Sequence, residues 1–279
     1  MINPSLRDDS AQSTRAGESH RSVAQCAAFT LIEMLVAMSI LALLVLVVGQ
    51  IINMTSQSVA INSKKLDGMG QVRMALDWIG LDIVGRLNRT DVGHGCVKVD
   101  NNSNDALGFY SEVDAYSGGR RIAAVGYRIQ EPNPAPTRGQ PFQLERGVEG
   151  TDWALTGGVR FSQAFPVIDN ANYEVLADSI LRIEFCYLKT DGTLSNFAAT
   201  DLSDVSAIVV ALAVLDSTSR KIVGASELDQ LSKALPDSTD GQDPISAWHA
   251  AYAGTNFASG VPRPAIEGLR FAQRYFYVR

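Results

Sequence analysis

The sequence predicts an α+β protein: a long N-terminal helix, first membrane-spanning and then amphipathic, packed against an antiparallel β-sheet head. Three observations predict it. An apolar run, FTLIEMLVAMSILALLVLVV, begins abruptly at Phe29 and ends at Val48 with Glu33 as its one charge. Beyond Gly49, apolar residues recur in steps of three and four at Leu66, Met69, Val72, Leu76, Ile79, Ile83 and Leu87, the signature of one helix face. From about Thr90 onward the pattern changes to short β-type segments separated by turn residues.

The apolar run is 20 residues long, which at 1.5 Å per residue spans ~30 Å, the thickness of a bilayer core. No proline lies between Phe29 and Arg89, so a single helix of ~90 Å can connect the two halves. Residues 29–49 form the transmembrane half and 50–89 the amphipathic half. The 28 residues before the run are polar, whereas a secretory signal places its apolar core ahead of the cleavage site. Cys26 follows Val23-Ala24-Gln25 with no apolar core upstream, which is not a lipoprotein signal. Glu33 is the anomaly. A carboxylate in hydrocarbon is costly unless paired, and an intramembrane acid is by default a functional residue. A chain cut before Phe29 would place a new α-amino cation at nearly the same depth, where the two charges could neutralise each other.

The string Ala28-Phe29-Thr30-Leu31-Ile32-Glu33 resembles the type IV prepilin cleavage and methylation motif, Gly-Phe-Thr-Leu-Ile-Glu. Phe29 and Glu33 match it, and Ala28 departs from the usual Gly. The resemblance implies that residues 1–28 are a prepilin leader, that a prepilin peptidase cuts between Ala28 and Phe29, and that Phe29 is then N-methylated. It makes Glu33 an assembly residue. It further implies, as partners, other pilin or pseudopilin subunits and an inner-membrane assembly platform, and a single-pass inner-membrane location with the head in the periplasm or in an extracytoplasmic filament. Arg15 and Arg21 before the span, against Lys64 and Lys65 beyond it, give little orientation bias.

In the head, residues 90–279, ALGFYSEV, RIAAVGYRIQ, PFQLERGV, SILRIEFCYLKT, VSAIVVALAVLD and GLRFAQRYFYVR read as strands. Asp191-Gly192 marks a hairpin. Residues 226–264 are weakly patterned and read as an insertion of loops and a short helix. Tyr275, Phe276 and Tyr277 read as an aromatic strand packed in the core rather than as a partner-binding edge.

Parts of the head are similar to the minor pseudopilin J of type II secretion and to the W-type minor pilin. Val125-Gly126-Tyr127-Arg128-Ile129 precedes Leu144-Glu145-Arg146. Then come Ile183-Glu184-Phe185-Cys186-Tyr187, Asp191-Gly192 and the aliphatic strand from Val205 to Leu215. The Trp that those families carry after Asp-Gly is absent. The ending Gln273-Arg274-Tyr275-Phe276-Tyr277 also resembles pilin-like proteins of the kind called Verru_Chthon cassette protein C.

Composition excludes other classes. The chain has 279 residues, is 46% hydrophobic and carries a formal net charge of −6, with no basic face for a nucleic acid. There is no HExxH, Walker A, GxSxG or CxxC motif, so neither an enzyme nor a cofactor is expected. Of three cysteines, Cys96 and Cys186 could form one bridge if the head is exported, though spacing alone does not show that they meet. His94-Gly95-Cys96 lacks further metal ligands nearby. Asp100, Asn102 and Asn104 place oxygens at alternate positions, as calcium loops do. Position 105 lacks the Gly and position 111 the Glu of such a loop, which favours a surface turn. The competing function is a membrane-anchored binding or adhesion module that uses the prepilin export route.

Overall fold

A computed structural model describes residues 30–87, 97–101, 104–113, 122–130, 142–150, 166–196 and 202–278, with the side chains of 60–67 and 97–101 left aside. The chain divides into two units, Met1–Ser56 and Gln57–Arg279.

The first unit holds the apolar part of helix α1 (Leu31–Val84). Thr30 starts the helix. Its Oγ1 accepts from the Glu33 amide at 3.3 Å, which satisfies a helix-end N–H that would otherwise lack a partner. Residues Leu31–Val59 are long and apolar enough to cross a membrane, and their large apolar side chains are exposed. Two hydroxyls in this stretch turn inward to the backbone: Ser39 Oγ donates to the Leu35 carbonyl at 2.5 Å and Thr55 Oγ1 to that of Ile51 at 2.8 Å. That arrangement leaves them no need of water.

The second unit contains the rest of α1 and two antiparallel sheets. The first sheet is a meander of β1 (Val97–Asn101), β2 (Asn104–Ser111), β3 (Ala123–Ile129), β4 (Leu144–Gly150) and β5 (Tyr173–Ala177), paired in that order. The second contains β6 (Ile180–Lys189), β7 (Leu194–Ser195), β8 (Val205–Leu215) and β9 (Leu269–Tyr277), in the order β7-β6-β8-β9. The expected antiparallel head is therefore two sheets. Asp191-Gly192 makes the β6–β7 hairpin, with Gly192 at φ +85° and the Asp191 carboxylate accepting from the Thr193 amide at 2.8 Å.

Within this unit α1 buries Val72, Ala75, Leu76, Ile79 and Ile83 against both sheets. Met69, expected on that stripe, is exposed. The helix stops at Val84, short of the expected residue 89. Gly85 turns the chain, and Leu87 donates its amide to the Tyr110 carbonyl at 2.9 Å. β8 is buried throughout except at Ser206, because both of its faces are covered. Val214 lies 3.6 Å from a Cβ built on Gly68 of α1, and Phe276, opposite Ile208, lies against Gly80. On the other face Phe271, opposite Ala213, meets Trp248, His249 and Tyr252.

Those three residues lie in α4 (Pro244–Tyr252), which belongs to a helical layer with α2 (Ser217–Ile222), α3 (Ala225–Lys233) and α5 (Arg263–Glu267). The region that patterning made loops and a short helix thus holds several short helices. Each is too short for a strong periodic signal. Local caps define two of them: Asp216 accepts from the Thr218 and Ser219 amides, and Asp243 accepts from that of Ser246. Trp248, fully buried, anchors the layer and donates Nε1–H to the Pro236 carbonyl at 3.0 Å.

Candidate functional site

Ala28 and Phe29, the expected cleavage pair, lie outside the described residues. The structure places the next part of the motif in the first turn of α1. Thr30 is the cap, and Glu33 stands three residues on, at the position a capping box reserves for Glu or Gln. A carboxylate there also lies in the favourable field of the helix N-terminus. Glu33 therefore has a local structural role available beside the pairing role its depth suggests.

A buried charged cluster stands on α1 in the head. Asp82 is 1% exposed although it lies on the packed face beside Ile79 and Ile83. Arg146 of β4 grips it with both arms of its guanidinium: Nε donates to Oδ2 at 2.7 Å and Nη2 to Oδ1 at 2.9 Å. Tyr127 of β3, opposite Arg146 in register, donates its hydroxyl to the same Oδ2. Arg146 also lies over the Trp78 ring, 5.1 Å from its centroid. Burial, together with the neighbouring Asp82 carboxylate, pushes the Tyr127 phenol well above its ordinary pKa, so it stays a donor. For Arg146, burial works against the charge, but the hydrogen bonds to Asp82 outweigh it and the guanidinium is held charged. Sequence reasoning singled out Tyr127 and Arg146 through a family resemblance and missed Asp82. The signal was present, as a carboxylate three residues after Ile79 within an apolar stripe.

A second cluster fastens the helical layer to β6. Arg182 is fully buried and donates through Nη2 to Asp237 and, at 3.4 Å, to Glu184. The other Glu184 oxygen accepts from the Ser238 hydroxyl at 3.1 Å.

Of the calcium candidates, only Asn104 has a described side chain. Asn102 and the side chain of Asp100 lie outside the described residues. The Asn104 carboxamide is built into the fold: its oxygen accepts from the Ile183 amide at 3.0 Å and its nitrogen donates to Ser232 at 3.3 Å. Asp105 accepts from the Phe185 amide at 2.7 Å. The two side chains cap amides on the edge of β6 that β7 does not reach. Among the described residues no three His, Cys, Asp or Glu side chains group as a metal site. Cys186 is buried in β6, while Cys96 lies outside the described residues, so their pairing is untested. The aromatic ending corrects the sequence reading. Phe276 packs inward, but Tyr275 is 39% and Tyr277 71% exposed, because residues of an edge strand alternate between faces.

Comparison with known proteins agrees on the N-terminus. Residues 24–49 match the family described as "Prokaryotic N-terminal methylation motif". The chain therefore carries a prepilin-type methylation segment. No curated protein matches. Among solved structures, a type IV-like pilin from Thermus thermophilus is similar at 13% identity and a TM-score of 0.38, over 75% of this chain and 94% of that one. At those values the likeness carries no functional weight.

Proposed function

We propose that the protein is a minor pilin- or pseudopilin-like structural subunit. A prepilin peptidase cuts it between Ala28 and Phe29, Phe29 is N-methylated, and the mature chain joins a type IV pilus-like or type II secretion filament with other pilin-like subunits through an inner-membrane platform. The observation that carries this reading is the methylation motif at 24–49 running directly into the apolar helix α1. The helix anchors the subunit in the inner membrane with its head in the periplasm. Glu33 pairs with the methylated amine of Phe29, within the chain or on a neighbour, which removes two charges from hydrocarbon.

Two substitutions separate this pairing from helix capping. Glu33→Gln keeps a side chain that a capping box accepts and removes the charge, whereas Glu33→Val removes both. Both variants are expected to insert normally and to be lost from sheared filaments or minor-subunit complexes. Normal incorporation of Glu33→Gln would make Glu33 a capping residue and contradict the pairing role.

A further inference from the structure

The outer face of the first sheet, opposite the face that holds Asp82, carries a built polar cavity of about 270 Å³. Arg128 and Glu145 face each other across β3 and β4, and Tyr173 lies on β5 next to them. Asp169 and Asn170 come from the short turn of 3-10 helix just before β5. Gln130, at the end of β3, completes the wall. The polar side chains are fixed in place. Arg128 donates from Nε to Glu145 and from Nη1 to the Asn170 carboxamide, both at 2.9 Å, and its guanidinium stacks 3.6 Å above the Tyr173 ring. Gln130, Glu145 and Tyr173 are each more than nine-tenths buried. The Gln130 side-chain oxygen is buried with no hydrogen-bond partner, an unused acceptor in the residue that ends this wall.

We infer that this cavity binds one neutral monosaccharide unit through hydrogen bonds to its hydroxyls. The lining selects that chemistry. It offers donors and acceptors together, as hydroxyl groups require, since each both gives and takes a hydrogen bond. An anion is disfavoured, because Arg128 is neutralised by Glu145 and Asp169 adds a second carboxylate. A metal cation is disfavoured, because the Arg128 guanidinium lies in the same wall and among the described residues no three His, Cys, Asp or Glu side chains group to hold one. The volume lies just below the roughly 300–1,000 Å³ of drug-sized sites, which suits one ring rather than an oligosaccharide. The face of Tyr173 under Arg128 is already taken, so recognition runs through hydrogen bonds and not through ring stacking. Burial raises the Tyr173 phenol, which keeps its hydroxyl a donor. The inference does not depend on entry into a filament.

The test uses the full chain in lipid nanodiscs, free of sugar-headed detergents. D-glucose, D-galactose and N-acetylglucosamine are titrated separately by saturation-transfer NMR, with inorganic phosphate as a fourth probe. Saturable binding of at least one sugar is expected, weakened at least tenfold by Asn170→Ala and by Gln130→Met but unchanged by Asp191→Asn on the distant hairpin. Melting curves establish that each variant is folded, and the exposed Asn170 position keeps the test usable if Gln130→Met is not. Failure of all three sugars to bind the folded chain, binding of phosphate alone, or full affinity in folded Asn170→Ala would each overturn the inference. None of these outcomes bears on whether the leader is cut.

Discussion

Arg146 holds Asp82 by two charge-assisted hydrogen bonds, 2.7 and 2.9 Å long, and thereby ties the middle of β4 to the last turns of α1. The paired fork of a guanidinium fits a carboxylate in a way that a lysine cannot reproduce. Removing one member strands the others. Asp82→Ala leaves a buried arginine and a buried phenol without their acceptor and is expected to destabilise the head by about 3–5 kcal/mol. Arg146→Lys loses the fork and the contact with Trp78 and is expected to fall between that variant and wild type. Denaturant unfolding of the full chain in detergent measures both.

The Tyr127 phenol gives this contact an alkaline limit. Its pKa is raised in the folded state, so the fold binds the phenolic proton more tightly than the unfolded chain does. The resulting stability is complete below the unfolded value of about 10 and is lost as pH rises from there through the folded value. Wild-type protein is expected to lose stability above pH 10, and Tyr127→Phe to show a shallower decline. Melting temperature against pH for the two proteins checks this, and parallel curves would assign the alkaline loss to other tyrosines.

Asp243 provides the opposite, acidic limit for the helical layer. Burial raises its carboxyl, but hydrogen bonds from Gln273, Ser246 and Tyr275 outweigh that and hold it below the ordinary range. Its contribution is present above the unfolded value of about 3.9 and is lost as pH falls through the folded value. Acidification below pH 4 is expected to loosen α4, with Trp248 fluorescence reporting the change. Asp243→Asn should show less of this pH dependence while starting from lower stability.

Gly80 is where α1 needs a glycine. A Cβ built there would stand 2.7 Å from Cε1 of Phe276. Gly80→Ala gains up to about 1 kcal/mol of helix propensity but forces the packed ring to move, which costs about 1–3 kcal/mol. Net destabilisation is expected, and Phe276→Leu in the same chain should recover part of it. A double-mutant cycle measures that coupling.

The sequence made the helix and the longer strands legible because each repeats a period often enough to be seen. β8 was readable as eleven residues dominated by aliphatics. β1 and β5 span five residues each and β7 only two, and β5 exposes Glu174 and Val175, so no clear alternation marks them. The short helices past residue 216 are set by single capping side chains and by contacts of Trp248 that are distant in sequence. The motif residues were readable as a string. Asp82 was not, since its meaning depends on Tyr127 and Arg146, 45 and 64 residues away.

The central claim is that the leader is removed before Phe29. Mass spectrometry of the N-terminus, on protein expressed with and without a prepilin peptidase, tests it most directly. A peptide starting at N-methylated Phe29 that appears only with the peptidase is the expected result. A leader still attached in its presence, or a cut at another bond, would contradict the account and leave a membrane-anchored head outside any pilus-like filament.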